Sequence, residues 1–265
     1  MHWSIARRGR VLAASALSAV LAGAVLCGLP GHAESAVPRA ALPLAGRTVV
    51  LDPGHNPGNV NHLRQINALV DVGNGRKACN TTGTATDAGY TEAAFNLDVA
   101  RRARQILRAE GATVVMTQDG DRPWGPCVTE RAAIANRAHA DATVAIHGDA
   151  GRADGYGYHV IVPAEVVAGA ADTRPILASS RRLGLALREA YGRITGEAHA
   201  TYIDHGTALV ARSDLGGLNL STVPAVFIEC GNMHNPVDAR RMTSPVWREA
   251  AASGIAAGIT AYLQR

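Results

Sequence analysis

Residues Arg47–Asn56 read "RTVVLDPGHN", and the fold turns on how this stretch is understood. A short β-branched run stopped by Pro53 and Gly54 has the pattern of a buried strand that ends in a turn. The histidine behind the turn is the unexplained part, because a turn does not require His55. Outward from this stretch the chain repeats the theme. "ATVVMTQ", "ATVAIHGD", "GYGYHVIVP" and "PAVFIECG" read as further strands, and "TALVAR" as a short one. Between them, "TEAAFNLDVARRARQILRAEG", "VTERAAIANRAHA" and "ILASSRRLGLALREAYGRI" carry helical spacing, and "SPVWREAAASGIAAGITAYLQR" closes the chain as a helix.

Strands that alternate with helices predict an α/β fold, a single domain with a mostly parallel twisted sheet flanked by helices on both faces. The near-continuous apolar runs "TVVL", "TVAI" and "AVFI" agree, since such strands are buried on both sides. Thr91 is placed to cap the first helix, which sets Glu92 in its first turn. From Asn56 to Tyr90 the chain is polar, rich in Gly, Asn and Thr, and without periodicity. A segment of that length inside a compact domain is expected to have a function or local structure of its own.

The first residues have a different character. Arg7, Arg8 and Arg10 precede an apolar stretch from Val11 to Leu29, and small residues follow around Ala33 and Ala36. This is the pattern of a secretory signal peptide, expected over residues 1–33, with a linker over 34–46 and the domain over 47–265. Gly23, Gly28 and Pro30 interrupt the stretch and argue against a retained membrane anchor. Leu26 before Cys27 argues against a lipoprotein. The protein is therefore expected to be secreted into the cell envelope, without a stable membrane anchor after cleavage.

Cleavage would remove three of the 26 Lys and Arg and leave 23 against 22 acids, a net of +1. Such a balance offers no basic excess for nucleic acid. Three cysteines would remain. Cys79 and Cys127 lie in polar loops, whereas Cys230 follows an apolar strand, so an exported chain is expected to bridge Cys79 to Cys127. No close pair of the CxxC type points to cysteine as a metal ligand.

In open α/β sheets, ligands gather at the carboxyl ends of the strands. Three of those ends carry groups suited to metal or proton chemistry: His55, His147 and Glu229. Glu92 can reach the same edge from the start of its helix. Two imidazoles and a carboxylate form the three-ligand set of a catalytic zinc site, and a fourth group nearby could carry a proton. Taken singly, a histidine at a strand end is more often a hydrogen-bonded structural residue, and a glutamate at a helix start an electrostatic cap. His62, His139, His199 and His234 fall in polar settings and are expected in solvent. His159 is expected to face one side of the sheet, and His205 is a candidate for a substrate groove.

Four stretches in order, "VVLDPGHN", "TEAAFNLDVARRARQILRAEGATVVMTQDGD", "RAAIANRAHADATVAIHGDA" and "PAVFIECGNMHNPVDARRM", resemble the zinc-dependent N-acetylmuramoyl-L-alanine amidases of the amidase-3 family, above all their actinobacterial members. The resemblance covers nearly all of residues 47 to 264. It implies Zn2+ held by His55, Glu92 and His147 at the carboxyl edge of the strands, with Glu229 as the catalytic glutamate. It further implies a peptidoglycan or muropeptide substrate, cut between the lactyl group of N-acetylmuramic acid and L-alanine. A monomer is expected. Gln118, Gly148 and Asp149 depart from the commoner family residues. Two rival expectations are a catalytically silent peptidoglycan-binding or regulatory protein on the same scaffold, and a zinc peptidase that cuts within the stem peptide.

Overall fold

The computed structural model describes residues 41–265. The expected signal segment lies outside the described residues. Of the expected linker, 41–46 are described and belong to the domain. Leu44 is fully buried, and its N–H donates to the Glu110 carbonyl at 2.8 Å.

Along the chain, β1 (Thr48–Pro53) is followed by a 3-10 turn (Pro57–Asn61), α1 (Leu63–Ile66) and a hairpin of β2 (Leu69–Asp71) and β3 (Arg76–Ala78). Then come α2 (Glu92–Ala109), β4 (Thr113–Met116), α3 (Val128–Arg137), β5 (Ala142–Asp149) and β6 (His159–Pro163). A small hairpin of β7 (Val167–Ala168) and β8 (Ala171–Asp172) leads to α4 (Leu177–Thr195) and β9 (Leu209–Arg212). The chain closes with α5 (Gly216–Asn219), β10 (Ala225–Asn232), α6 (Pro236–Thr243) and α7 (Pro245–Leu263).

The central sheet has the order β4-β1-β5-β10-β6-β9. The first four strands are mutually parallel, as their apolar runs require. β6 runs antiparallel to β10, and β9 runs parallel to β6. Only residues 150–158 separate β5 from β6, too few for the helical crossover that a parallel return needs. The chain therefore re-enters the sheet from the edge at which it left. The amino end of β6 lies beside the carboxyl ends of β5 and β10.

Alternation along the strands divides the core. Val49, Leu51, Val144, Ile146, Val226 and Ile228 point into the large cluster that includes Phe95 of α2, Leu187 of α4 and Ile255 of α7. Val50 points to the opposite face, where Ala135 of α3 packs, and Ile161 joins Leu218 of α5 on that face. Full burial of each Leu or Ile is worth about 1.5–3 kcal/mol, so the α2/α4/α7 side carries most of the stability. The α3/α5 side is thinner; His147 and Glu229 point to it, while Glu92 comes from α2 on the other side.

The segment 56–90 has local structure of its own, as its length suggests, and α6 is among the elements that the sequence reading did not mark. The segment 56–90 contains the 3-10 turn, α1 and the β2–β3 hairpin. Helix α6, capped by Asn235, whose side chain accepts from the Val237 and Asp238 N–H groups, stands apart from α7.

Candidate metal centre and groove

The turn after β1 sets His55. β1 continues through Pro53, and the chain bends at Gly54 and His55, whose φ of +62° lies in the left-handed region. Such a backbone is uncommon for a residue with a side chain and persists where the surroundings impose it. Arg131 of α3 imposes it here. Its buried guanidinium pairs with Asp52 and donates to the Pro53 carbonyl at 2.7 Å and to the His55 carbonyl at 2.5 Å. Gly54 is required for a second reason, because a Cβ there would lie 2.2 Å from Cε1 of His147.

Thr91 caps α2, its hydroxyl accepting from the Ala94 N–H at 3.3 Å, and Glu92 occupies the first turn. The Glu92 carboxylate is almost fully buried. His55 Nε2 and His147 Nδ1 both lie within hydrogen-bond distance of its Oε1, at 3.0 and 2.9 Å. The Thr84 N–H donates to Oε2 at 2.9 Å, and the Asn96 amide to Oε1 at 3.3 Å. Burial opposes the charge on Glu92, yet the hydrogen bonds and charge of His147 and His55 hold its carboxyl well below the usual range. One donor atom from each of these residues falls within 4.8 Å of the others. The His147 ring stacks on Phe227, centroids 5.1 Å apart, and the His55 Nδ1 lies 3.1 Å from the Thr81 carbonyl.

Glu229, near the carboxyl end of β10, lies opposite His147 in the β5–β10 ladder. It lines a cavity of about 320 Å3 together with His55, Glu92, His147, Asp149 and Arg212. Burial, then the charges of Glu92 and Asp149, push the Glu229 carboxyl well above the usual range, against the pull of Arg212. The structure thus brings His55, Glu92, His147 and Glu229 to one edge. A second cavity of about 480 Å3 continues from the first, sharing His55, Thr81, His147, Leu215 and Phe227. Arg76, Lys77 and Asp214 lie along it.

Other parts of the site had no signal in periodicity. Thr81, Gly83 and Thr84 come from the polar segment and wall the first cavity, with Gly83 so close that a Cβ would lie 2.9 Å from Glu92 Oε2. His234, expected in solvent, is half-buried, and its Nε2 lies 3.2 Å from the Thr84 hydroxyl. His205 is exposed on the turn Asp204–Gly206 and lines neither cavity. Cys79 and Cys127 form a disulfide, and Cys230 is free and buried.

Two half-buried histidines closing on a buried glutamate, with a second carboxylate beside them at the edge of the sheet, form a cluster that could hold a metal ion. The chain belongs to the N-acetylmuramoyl-L-alanine amidase family Amidase_3, which matches residues 49–261. It is 36% identical over 221 residues to the N-acetylmuramoyl-L-alanine amidase Rv3717 of Mycobacterium tuberculosis, covering 83% of this chain and 88% of that protein. Among solved structures, the N-acetylmuramyl-L-alanine amidase Ami1 of Mycobacterium smegmatis superimposes with a TM-score of 0.75 at 41% identity, over 83% of this chain and 98% of that one. The apo form of Ami1 from Mycobacterium abscessus gives 0.73 at 43% identity, over 83% and 99%. The fold and activity class expected from the sequence therefore stand.

Proposed function

We propose that the protein is a zinc-dependent hydrolase of the cell envelope that cuts peptidoglycan between the lactyl group of N-acetylmuramic acid and L-alanine, freeing stem peptides. The observation that carries the reading is the convergence of His55 Nε2 and His147 Nδ1 on Glu92 Oε1, with Glu229 in the same cavity. Two neutral imidazoles and one carboxylate are the donor set of catalytic zinc, so His55, Glu92 and His147 fit as its ligands. Bound there, zinc would supply Lewis acidity, making a water nucleophilic near neutral pH and polarising the scissile carbonyl.

The protein's own groups supply the rest. Glu229 takes the proton from the attacking water and returns it to the alanine nitrogen, which cannot leave as an amide anion. Its buried setting raises its basicity, as a proton carrier at neutral pH requires. Asn96 and Thr84 hold the Glu92 carboxylate from behind, the usual support of a metal ligand. Export by a cleaved signal peptide and action as a monomer complete the reading. Among the described residues no helix is long and apolar enough to cross a membrane.

Mass spectrometry of a muropeptide digest, with and without chelator, tests it. The expected products are free peptides that begin at L-alanine, absent when the metal is stripped. Cuts within the stem peptide would reveal a peptidase, and no products a silent scaffold. Glu229→Gln is expected to keep zinc at wild-type stoichiometry while kcat falls by roughly 10²–10⁴-fold, the usual worth of a general acid–base. Metal analysis beside the digest checks both halves, and an active Glu229→Gln would reject the assigned role.

A further inference from the structure

The second cavity is lined by His55 and His147 of the metal centre and, elsewhere, by the β2–β3 hairpin. Leu69 pairs with Ala78 across that hairpin, and Arg76 stands two residues before Ala78, so the three share one face. All three line the cavity. The hairpin is tied to the body of the domain. The Asn219 amide donates to the Val72 carbonyl at 3.2 Å, the Asn74 amide donates to the Ser213 carbonyl at 2.7 Å, and a Cβ at Gly216 would lie 2.6 Å from a Val72 methyl. Arg76 is thus carried on a held element and not on a free loop.

The other cations here are already engaged. Arg131 is closed on Asp52, and Lys77 Nζ donates to Asp214 at 2.8 Å. Arg212, in the adjoining first cavity, donates to both oxygens of the same Asp214 carboxylate, at 2.8 Å each. Arg76 forms no ion pair among the described residues. Its Nη2 donates to the Leu69 carbonyl at 3.0 Å, which occupies one of five N–H donors. Asp71 stands opposite it in the hairpin, but the Asp71 carboxylate accepts from the Gly73 N–H at 2.8 Å. The wall therefore offers one guanidinium without a carboxylate.

The chemistry of a muramoyl peptide says what could meet it. The lactyl carboxyl is consumed in the scissile amide and the N-acetylated sugars are neutral, so the free carboxylates belong to the peptide. We propose that the second cavity seats the peptide side of the substrate and that Arg76 binds a free carboxylate on it, so that the enzyme discriminates carboxylate from carboxamide there. The inference rests on the reading of the protein as a muramoyl-peptide amidase. A carboxamide has the same shape but no charge, and it turns an N–H group toward a guanidinium that can only donate.

The test compares kcat/KM on two synthetic substrates, N-acetylmuramoyl-L-alanyl-D-glutamate and the same compound with both carboxylates converted to carboxamides. The wild type is expected to favour the first by about threefold or more, through KM, the scale of an ion pair open to solvent. Arg76→Gln is expected to bring that ratio to about one, with Arg76→Lys between the two because it keeps the charge without the fork. A wild-type ratio below about threefold would overturn the proposal. So would a ratio that survives in Arg76→Gln, since a merely structural role lowers both substrates alike. Calorimetry of the free dipeptide L-alanyl-D-glutamate with zinc-loaded enzyme needs no turnover: weaker binding to Arg76→Gln than to wild type supports the proposal, and equal binding overturns it. If the wild type cut neither substrate, the assigned function would fail, and calorimetry would still decide whether Arg76 holds a peptide carboxylate.

Discussion

At the scale of single residues, the site depends on positions that carry no chemistry themselves. Gly54 holds no ligand, yet the His147 ring occupies the space where its Cβ would be. Gly54→Ala is expected to displace His147 and weaken zinc binding by roughly 10–100-fold, the range seen when support around a ligand is lost. Competition with a chelator would measure it, and wild-type affinity would mean that the ring can retreat. His159 gives a prediction of a different kind. Burial lowers its pKa from 6.5 to about 4. The unfolded chain therefore takes up a proton below about pH 6.5 that the folded one refuses until near pH 4. This contribution to stability is complete above pH 6.5 and is lost as pH falls toward 4, by up to about 3 kcal/mol at 1.36 kcal/mol per unit. Denaturant titrations between pH 7 and 4 should show that slope in the wild type and a shallower one in His159→Asn.

At the scale of elements, the parallel strands were legible because burial on both faces writes an apolar run, and α2 because Thr91 and its apolar spacing mark a start and a face. The same logic placed His55, His147 and Glu229, which stand at or just beyond the ends of such runs. The segment 56–90 was illegible because side-chain amides order it through contacts remote in sequence. Asn59 accepts from the Gly125 N–H at 2.9 Å and donates to the Thr81 carbonyl at 2.7 Å. Asn56 donates to the Gly125 carbonyl at 3.0 Å, and Asn80 to that of Pro126 at 2.7 Å. The Cys79–Cys127 disulfide, 48 residues apart in sequence, joins the same two segments covalently. Closing a loop of that length contributes about 4 kcal/mol in the chain-entropy model. Reductant is expected to lower the melting temperature of the wild type and to leave a Cys79→Ala/Cys127→Ala variant unchanged. Calorimetry with and without reductant would settle it, and an unshifted wild type would count against the stabilising role.

At the scale of the whole molecule, the direction of one strand separates what the sequence could reveal from what it could not. Alternating strands and helices lead the eye to carboxyl ends, and β6 meets the functional edge with its amino end instead. His159, the first residue of that strand, carries no mark in the sequence beyond that of a side chain on a sheet face. Only the missing helix between β5 and β6 could have signalled the reversal. The two faces of the sheet also differ in thickness. The cluster under α2, α4 and α7 holds the bulk of the apolar core, while the α3/α5 side has only a few buried apolar residues. His147, Glu229 and the Arg131 clamp on His55 belong to the thinner side. Working life and melting point should accordingly part company. On slow heating, activity is expected to fade several degrees before circular dichroism registers loss of helix, so the enzyme would wear out while most of it still stands.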